Sequence, residues 1–185
     1  MSSYSEGQTH QLMERLESEL LTPHDVTLLG QFNNWPGILD LIHGRAEIVP
    51  KRHVIDCDAD PFLSESWSVE QHVKGGQLEW DPAKVALYLT EEQNCGSIKG
   101  DKLREELKSR HVLNANVLDY LLANPHLIPE AWKGKYVFFW GTIYRGPGGD
   151  LYVRCLDWGG DGWRWGCYWL DDGWRASNPA LVLAS

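Results

Sequence analysis

The sequence contains few cysteines and no long hydrophobic run. Its four cysteines, among 185 residues, show no Cys-x-x-Cys spacing, which disfavours a zinc knuckle. No stretch approaches the ~18 consecutive apolar residues of a membrane-spanning helix, and the amino-terminal segment lacks the basic and apolar regions of a signal peptide. We therefore expect a cytoplasmic protein without a membrane segment. Cys155 and Cys167 fall on neighbouring predicted strands, and in that compartment we expect reduced thiols.

Positive charge is also scarce. The chain has 17 Lys and Arg residues against 26 Asp and Glu residues, which gives a formal net charge of -9. Because affinity for nucleic acid comes mainly from clustered Lys and Arg, this balance disfavours a nucleic-acid partner. It is compatible with an acidic inhibitor or immunity-type protein that binds a basic surface on another protein.

Catalytic signatures are missing as well. The sequence has no Gly-x-Ser-x-Gly, Walker loop, strand-linked Gly-x-Gly-x-x-Gly or His-Glu-x-x-His motif, so we expect neither an enzyme nor a cofactor. One cluster departs from this pattern. His53, Asp56 and Asp58 offer an imidazole and two carboxylates that could bind a divalent ion in a metal-dependent hydrolase. The competing interpretation is that these aspartates cap a turn through their side chains.

Tryptophan is abundant, and six of the ten tryptophans lie between residues 135 and 174. This part contains three strand-length runs, at 135–144, 151–158 and 163–170. Glycine-rich turns separate them, which predicts an antiparallel meander. Because side chains alternate along a strand, Trp163, Trp165 and Trp169 should share one face.

Upstream segments show helical and short-strand patterns. Leucines at 12, 16 and 20 predict an amphipathic helix that begins at Thr9 after a disordered start over residues 1–8. The next predicted elements are a helix from 22–25, a break at 33–37 with another short helix, strands at 46–49, 53–57 and 85–89, a hairpin of 67–73 with 77–80, a loop at 91–100, helices at 101–110 and 114–123, a helical turn at 129–132, and an edge strand at 179–184.

These patterns predict an α+β fold. N-terminal helices precede short central strands, a helical pair and the C-terminal antiparallel Trp-rich β-meander. We predict a helical N-terminal extension over residues 1–50 and an α+β domain over 51–185, in which the Trp-rich sheet spans 135–184.

Four segments carry a resemblance to known proteins. VLDYLLANPHLIPEAWKGK, at 117–135, and VFFWGTIYR, at 137–145, together with HVIDCDADPF and the terminal PALVLAS, resemble a recurrent family of uncharacterised bacterial proteins. The resemblance covers residues 53–185. It implies a bacterial origin and a single unit that joins the middle of the chain to the Trp-rich end, and it brings no activity and no catalytic residue.

The aromatic sheet suggests a function. Strand alternation places Trp140 and Tyr144 on one side of the first strand, and Tyr, Trp and Arg are the residue types that dominate binding hot spots. The predicted binding residues are Trp140, Tyr144, Tyr152, Arg154, Trp158, Arg164 and Tyr168. We therefore expect an interaction protein whose aromatic face contacts another macromolecule, either a different protein or a second copy of this chain. In the alternative interpretation, these aromatic residues form a core between sheet and helices.

Overall fold

The computed structural model describes residues 4–17, 21–49 and 51–184. It has the predicted α+β class, with helices in the first part of the chain and antiparallel strands in the C-terminal part. The chain divides into two compact units, one ending at Lys51 and the other beginning at Arg52. None of the described helices is long and apolar enough to cross a membrane.

The first unit is helical. Its elements are α1 Glu6–Leu16, α2 Pro23–Gln31 and α3 Trp35–Ile42. The predicted second helix is confirmed: the Thr22 side chain accepts a hydrogen bond from the backbone N–H of Asp25, and Pro23 occupies the first turn. None of the described residues of these three helices is buried. At the start of each helix, a side chain accepts a hydrogen bond from a backbone N–H of the first turn.

Two predictions for this unit are wrong. Helix α1 begins at Glu6 rather than near Thr9, because Ser5 and Gln8 form a capping box that orders the predicted disordered start from Ser5 onward. The segment 46–49 is not a strand, since no described segment pairs with it and its apolar side chains stay exposed. Leu20, the third member of the predicted leucine stripe, lies outside the described residues.

The second unit contains all the strands of the described chain and three further helices. The strands are β1 Val54–Asp56, β2 Ser68–His72, β3 Gln77–Glu79, β4 Val85–Tyr88, β5 Ile98–Lys99, β6 Val137–Arg145, β7 Leu151–Trp158, β8 Trp163–Trp169, β9 Gly173–Trp174 and β10 Ala180–Leu183. The helices are α4 Glu91–Cys95, α5 Gly100–Leu107 and α6 Ala115–Ala123, and single 3-10 turns cover Pro82–Lys84, Pro125–Leu127 and Glu130–Trp132.

The main sheet has the strand order β4-β10-β6-β7-β8, and β2 also pairs with β6. The antiparallel meander β6-β7-β8 is confirmed. The predicted edge position of the last strand is wrong, because β10 lies between β4 and β6, antiparallel to the first and parallel to the second. Ala180, Leu181 and Val182 are all buried, so both sides of β10 are apolar, as expected of an interior strand.

The predicted hairpin of 67–73 with 77–80 is also wrong. Strand β2 pairs with β6, whereas β3 pairs with β1 to form a separate two-stranded sheet. The intervening glycine turn is tied to the end of β1: the Gly76 N–H donates to Asp58 Oδ1 at 2.9 Å, and the Cys57 N–H donates to the Gly76 carbonyl at 2.9 Å. These bonds direct β3 toward β1 and away from β2.

The segment 91–100, predicted to be a loop, contains α4 and β5. Thr90 and Gln93 form a capping box that starts α4, and Gln93 is buried, donating to the backbone carbonyls of Arg175 and Asn178. Strand β5 then pairs with β9. Short-range polarity suggested a loop, but the hydrogen bonds that order this segment come from residues about eighty positions away.

Hydrophobic clusters cover both faces of the main sheet. On one face, Val137, Phe139 and Leu156 pack in a cluster with the buried side of α6. On the other face, Phe138 and Trp140 pack in a cluster that includes the leucines of α5 and the indole of Trp174. The sheet is therefore the middle layer of the unit, and the aromatic side chains of β6 are core residues.

A register shift in β6 changes which side chains share a face. The β6-β7 pairing is irregular between Phe138 and Ile143, and Tyr144 pairs with Tyr152. The predicted shared face of Trp140 and Tyr144 is wrong, because the shift reverses the alternation between them. The irregular region lies against the start of α6, where a Cβ on Gly141 would come within 2.9 Å of the backbone of Asn114.

Candidate functional site

The seven predicted binding residues are divided between core and surface. Trp140, Tyr144 and Arg154 are 2%, 2% and 4% exposed, so these three are covered in the structure. The other four keep some exposure: Tyr152, Trp158 and Tyr168 are half-buried, and Arg164 is exposed. The burial follows from the two-sided core, because each face of β6 and β7 has helices or loop residues packed against it.

Arg154 is the buried member of an ion pair with Asp119. Its Nη1 and Nη2 atoms donate to the two carboxylate oxygens of Asp119 at 3.0 and 2.7 Å. The guanidinium carbon lies 4.6 Å from the ring centroid of Trp165 and 5.4 Å from that of Phe62. Although burial opposes the charge, the hydrogen bonds and the charge of Asp119 raise the pKa of the guanidinium. Arg154 therefore stays charged and holds both rings in place.

Aromatic side chains continue from this ion pair to the surface. Trp67 lies 4.9 Å from Tyr152 between ring centroids, and Phe62 lies 6.4 Å from Trp165. The β7-β8 register pairs Tyr152 with Trp169, which places Trp169 on the same face. We call these five residues, Phe62, Trp67, Tyr152, Trp165 and Trp169, the aromatic surface.

The aromatic surface is open rather than concave. Trp165 and Trp169 are 44% and 39% exposed, and Phe62 is 54% exposed. A hollow lined by Phe62, Trp67 and Trp165 among others has a volume of about 20 Å³. A drug-sized ligand needs a pocket of several hundred cubic ångströms, and this hollow is far smaller.

Strand β8 forms one edge of the main sheet. It pairs with β7 along its whole length and with no other strand in the described ranges. On the face opposite the aromatic surface, Arg164 Nε donates to Asp157 Oδ2 at 3.0 Å. Tyr168 is also on that face, with ring centroids 5.0 Å from Phe138 and 5.9 Å from Trp174. Of the predicted residues, Arg164 and Tyr168 thus belong to a different face from Tyr152 and Trp158.

Trp158 lies at the far end of the β7-β8 pair. It pairs with Trp163 in the register, and the two ring centroids are 5.4 Å apart. The Lys133 ammonium lies 4.0 Å from the Trp158 ring centroid. This tryptophan pair shares the sheet face of the aromatic surface, but its ring contacts are with each other and with Lys133.

The sequence did not single out Phe62, Trp67 or Asp119. Phe62 and Trp67 belong to the irregular segment between β1 and β2, where aromatic residues among polar ones were the available signal. Asp119 lies on α6, 35 residues before its partner Arg154. Nothing local marks that pairing.

The predicted metal cluster does not converge. His53 Nδ1 is 3.0 Å from the hydroxyl of Tyr120, Asp56 Oδ1 accepts from the backbone N–H of Asp58, and Asp58 Oδ1 accepts from the backbone N–H of Gly76. Within residues 4–17, 21–49 and 51–184, no group of three His, Cys, Asp or Glu side chains is arranged to hold a metal ion. Asp56 and Asp58 instead cap a turn through their side chains.

The cysteines form no disulfide: all four are free thiols. Cys155 pairs with Gly166 and Cys167 with Arg154, so the two predicted neighbours point to opposite faces of the sheet. Burial raises the pKa of Cys155 to about 12 and that of Cys57 to about 11, which makes both thiols poor nucleophiles.

No family model, curated protein or solved structure matches this chain. The case for a function therefore depends on the residues described above.

Proposed function

We propose that this protein binds another protein through the aromatic surface and the adjoining edge of β8. One observation carries the proposal: Trp165 and Trp169 are about two-fifths exposed on the same face of an edge strand. Indole rings bury a large area when a partner covers them, and tryptophan is enriched among residues that dominate binding energy. Two exposed tryptophans on one face of an edge strand are costly for a surface without a partner.

The ion pair beneath supports the same proposal. Arg154 stacks against Trp165 and is fixed by two hydrogen bonds to Asp119. An indole held by a rigid neighbour loses less side-chain entropy when a partner binds than a free one does. The buried Arg154 therefore acts as a support for the contact, and the contact itself is formed by the exposed rings.

The chemistry of the edge favours an extended segment as the partner. A strand added to β8 would form backbone hydrogen bonds along the edge, and every second side chain of that strand would meet the tryptophans. Exposed carboxylates lie near both ends of β8, with Asp161 before it and Asp172 after it. We therefore propose that the partner segment has alternating apolar side chains flanked by Lys or Arg.

A selection from random twelve-residue peptides displayed on phage tests this proposal on the full chain. We expect enriched peptides with alternating aromatic or aliphatic residues and flanking basic residues. Binding of a synthesised winner, measured by calorimetry, should weaken at least about tenfold in the double variant Trp165→Lys/Trp169→Lys, since two anchor rings are lost. Val54→Lys, which adds a charge at another exposed apolar position, should leave the affinity unchanged.

Three results would contradict the proposal. The first is peptide binding to the double variant that is as tight as binding to the parent, and the second is a selection that enriches no motif. The third is a dimer in light scattering that the double variant dissociates, which would identify a second copy as the occupant of the edge. The salt dependence of peptide affinity distinguishes the acidic-inhibitor alternative from binding through the aromatic surface. An affinity that falls steeply with ionic strength indicates that charge, rather than aromatic contact, dominates binding.

A further inference from the structure

A concave site lies away from the aromatic surface. It is a cavity of about 400 Å³ between the end of β2, helix α5 and the segment that follows α5. Its lining includes four basic side chains: Lys74, Arg104, Lys108 and Arg110. We call it the basic cavity. No carboxylate side chain lines it, although acidic residues outnumber basic ones by 26 to 17 in the whole chain.

Three of the four basic groups form no ion pair with a described carboxylate. Arg104 Nη2 donates to the neutral side chain of Gln71 at 2.7 Å, and the Arg110 guanidinium lies 4.5 Å from the ring centroid of Tyr88. In the described part of the chain, the ion pairs include Lys108 with Glu105 but none with Lys74, Arg104 or Arg110. Several like charges around a concave, partly apolar site create a positive potential that attracts an anion.

The remainder of the lining is mostly apolar. Val73, Leu78, Leu107 and Leu113 contribute aliphatic side chains, and Trp140 lines the cavity as well. The Trp140 indole N–H is buried and has no hydrogen-bond partner among the described residues. Because that N–H has almost no accessible surface, other atoms of Trp140 line the cavity.

We propose that the basic cavity binds a small organic anion that has an apolar body. The volume is within the range of small-molecule sites, the aliphatic side chains suit a ring or short chain, and the basic groups suit a carboxylate or phosphate. This site is independent of the aromatic surface, and its occupant does not depend on the proposed protein partner.

Calorimetry on the full chain with three naphthalene probes tests the proposal. The probes are 2-naphthoate, 2-naphthyl phosphate and the neutral 2-naphthamide. We expect one or both anions to bind at least about tenfold more tightly than the amide, as charge-assisted hydrogen bonds predict. The tighter anion identifies the head group. Inorganic phosphate, which lacks the apolar body, should bind more weakly than the tighter anion.

The variant pair Val73→Glu and Val73→Gln isolates the role of charge. Val73 lines the cavity but is 41% exposed, so both substitutions leave the core intact. Val73→Glu should weaken binding of the anions about tenfold relative to Val73→Gln, because the two side chains differ in charge and little in size. Equal affinity of the two variants, or equal affinity of the anions and the amide, overturns the proposal.

The indole N–H signals locate the ligand without any change to the core. Trp140 and Trp174 both have buried indole N–H groups without a partner in the described structure, but only Trp140 lines the basic cavity. On addition of the tighter anion, the Trp140 signal in a nitrogen-15 correlation spectrum should shift more than the Trp174 signal, because only Trp140 lines the cavity. Binding that leaves the Trp140 signal unmoved places the ligand elsewhere and overturns this assignment.

Discussion

The buried ion pair of Arg154 with Asp119 permits a quantitative prediction of stability. The Arg154 side chain is 5% exposed and that of Asp119 is 33% exposed. Asp119→Ala leaves the guanidinium buried without its carboxylate, so we expect this substitution to destabilise the second unit strongly. Arg154→Met in the same chain removes the buried charge, so the double variant should be more stable than Asp119→Ala alone.

The magnitude follows from the geometry. Removing one partner of a buried pair costs about 3–5 kcal/mol, and the partial exposure of Asp119 places this pair at the lower end. Alanine is a better helix former than aspartate, and this offsets the loss in the free energy of unfolding by up to about 0.7 kcal/mol within α6. We therefore expect a net loss of about 2–3 kcal/mol for Asp119→Ala. The Glu70 pair with Arg145 is a control, because its side chains are 34% and 41% exposed and Glu70→Ala should cost less than about 1 kcal/mol.

Urea unfolding followed by tryptophan fluorescence measures these differences. Nine of the ten tryptophans lie beyond residue 51, so the fluorescence reports mainly on the second unit. The decisive comparison is between Asp119→Ala and the double variant with Arg154→Met. If the double variant is as unstable as the single one, the orphaned charge is not the cause of the loss and the reasoning fails.

Two further predictions concern packing and thiol chemistry. Gly141→Ala should lower the free energy of unfolding by about 1–3 kcal/mol in the same urea assay, because its Cβ would lie 2.9 Å from the Asn114 backbone. In the control Gly162→Ala, the new Cβ has no atom within 4 Å, so this variant should stay within about 0.5 kcal/mol of the parent. Equal losses in the two variants would contradict the packing argument. Iodoacetamide at pH 8 should alkylate exposed Cys95 before Cys57 and Cys155, as intact mass can show, since burial raises the pKa of those two thiols to about 11 and 12 from an ordinary 9.0. Above pH 9 the two thiols lose their protons in the unfolded chain but keep them in the folded chain. The stability that these two buried thiols contribute is therefore complete below pH 9 and declines as pH rises toward 11 and 12. A free energy of unfolding that stays constant over this range would refute the prediction.

Local signals in the sequence were sufficient for several elements. The cap at Thr22 with Asp25, the cap at Asn114 and the glycine turns of the meander are each contained within a few residues. Their hydrogen bonds form whenever that short segment adopts the right geometry, so the residue types alone predict them. For the same reason, the antiparallel order of β6, β7 and β8 was predictable.

The remaining strands depend on partners far away in the sequence. Val69 pairs with Tyr144, and Ala180 pairs with both Tyr88 and Phe138. The alternation of β2 and β10 is compatible with either an edge or an interior position, so pattern alone could not choose. The pairing depends on which neighbouring elements bury the side chains of each strand, and that is a property of the folded unit.

The candidate site shows the same limit at the level of single residues. Composition drew attention to Trp, Tyr and Arg on strands, but strict alternation from Trp140 to Tyr144 ignored the register shift between them. It also treated Arg154 as a surface contact, because the carboxylate that allows its burial lies on α6. An arginine between aromatic residues is equally compatible with a surface stack and a buried pair, and a carboxylate nearby in space decides between them.

The two proposed sites are separable because the sheet lies between their key residues. Trp140, which lines the basic cavity, belongs to the cluster on one face, whereas Trp165 shares the opposite face with Leu156. Val73→Glu changes only the cavity, and Trp165→Lys with Trp169→Lys changes only the edge of β8. Loss of peptide binding with naphthalene affinity retained, or the reverse, therefore assigns each failure to its own site. Loss of both activities in one variant would instead indicate that the sheet itself had been disrupted, which the urea midpoint of that variant would show.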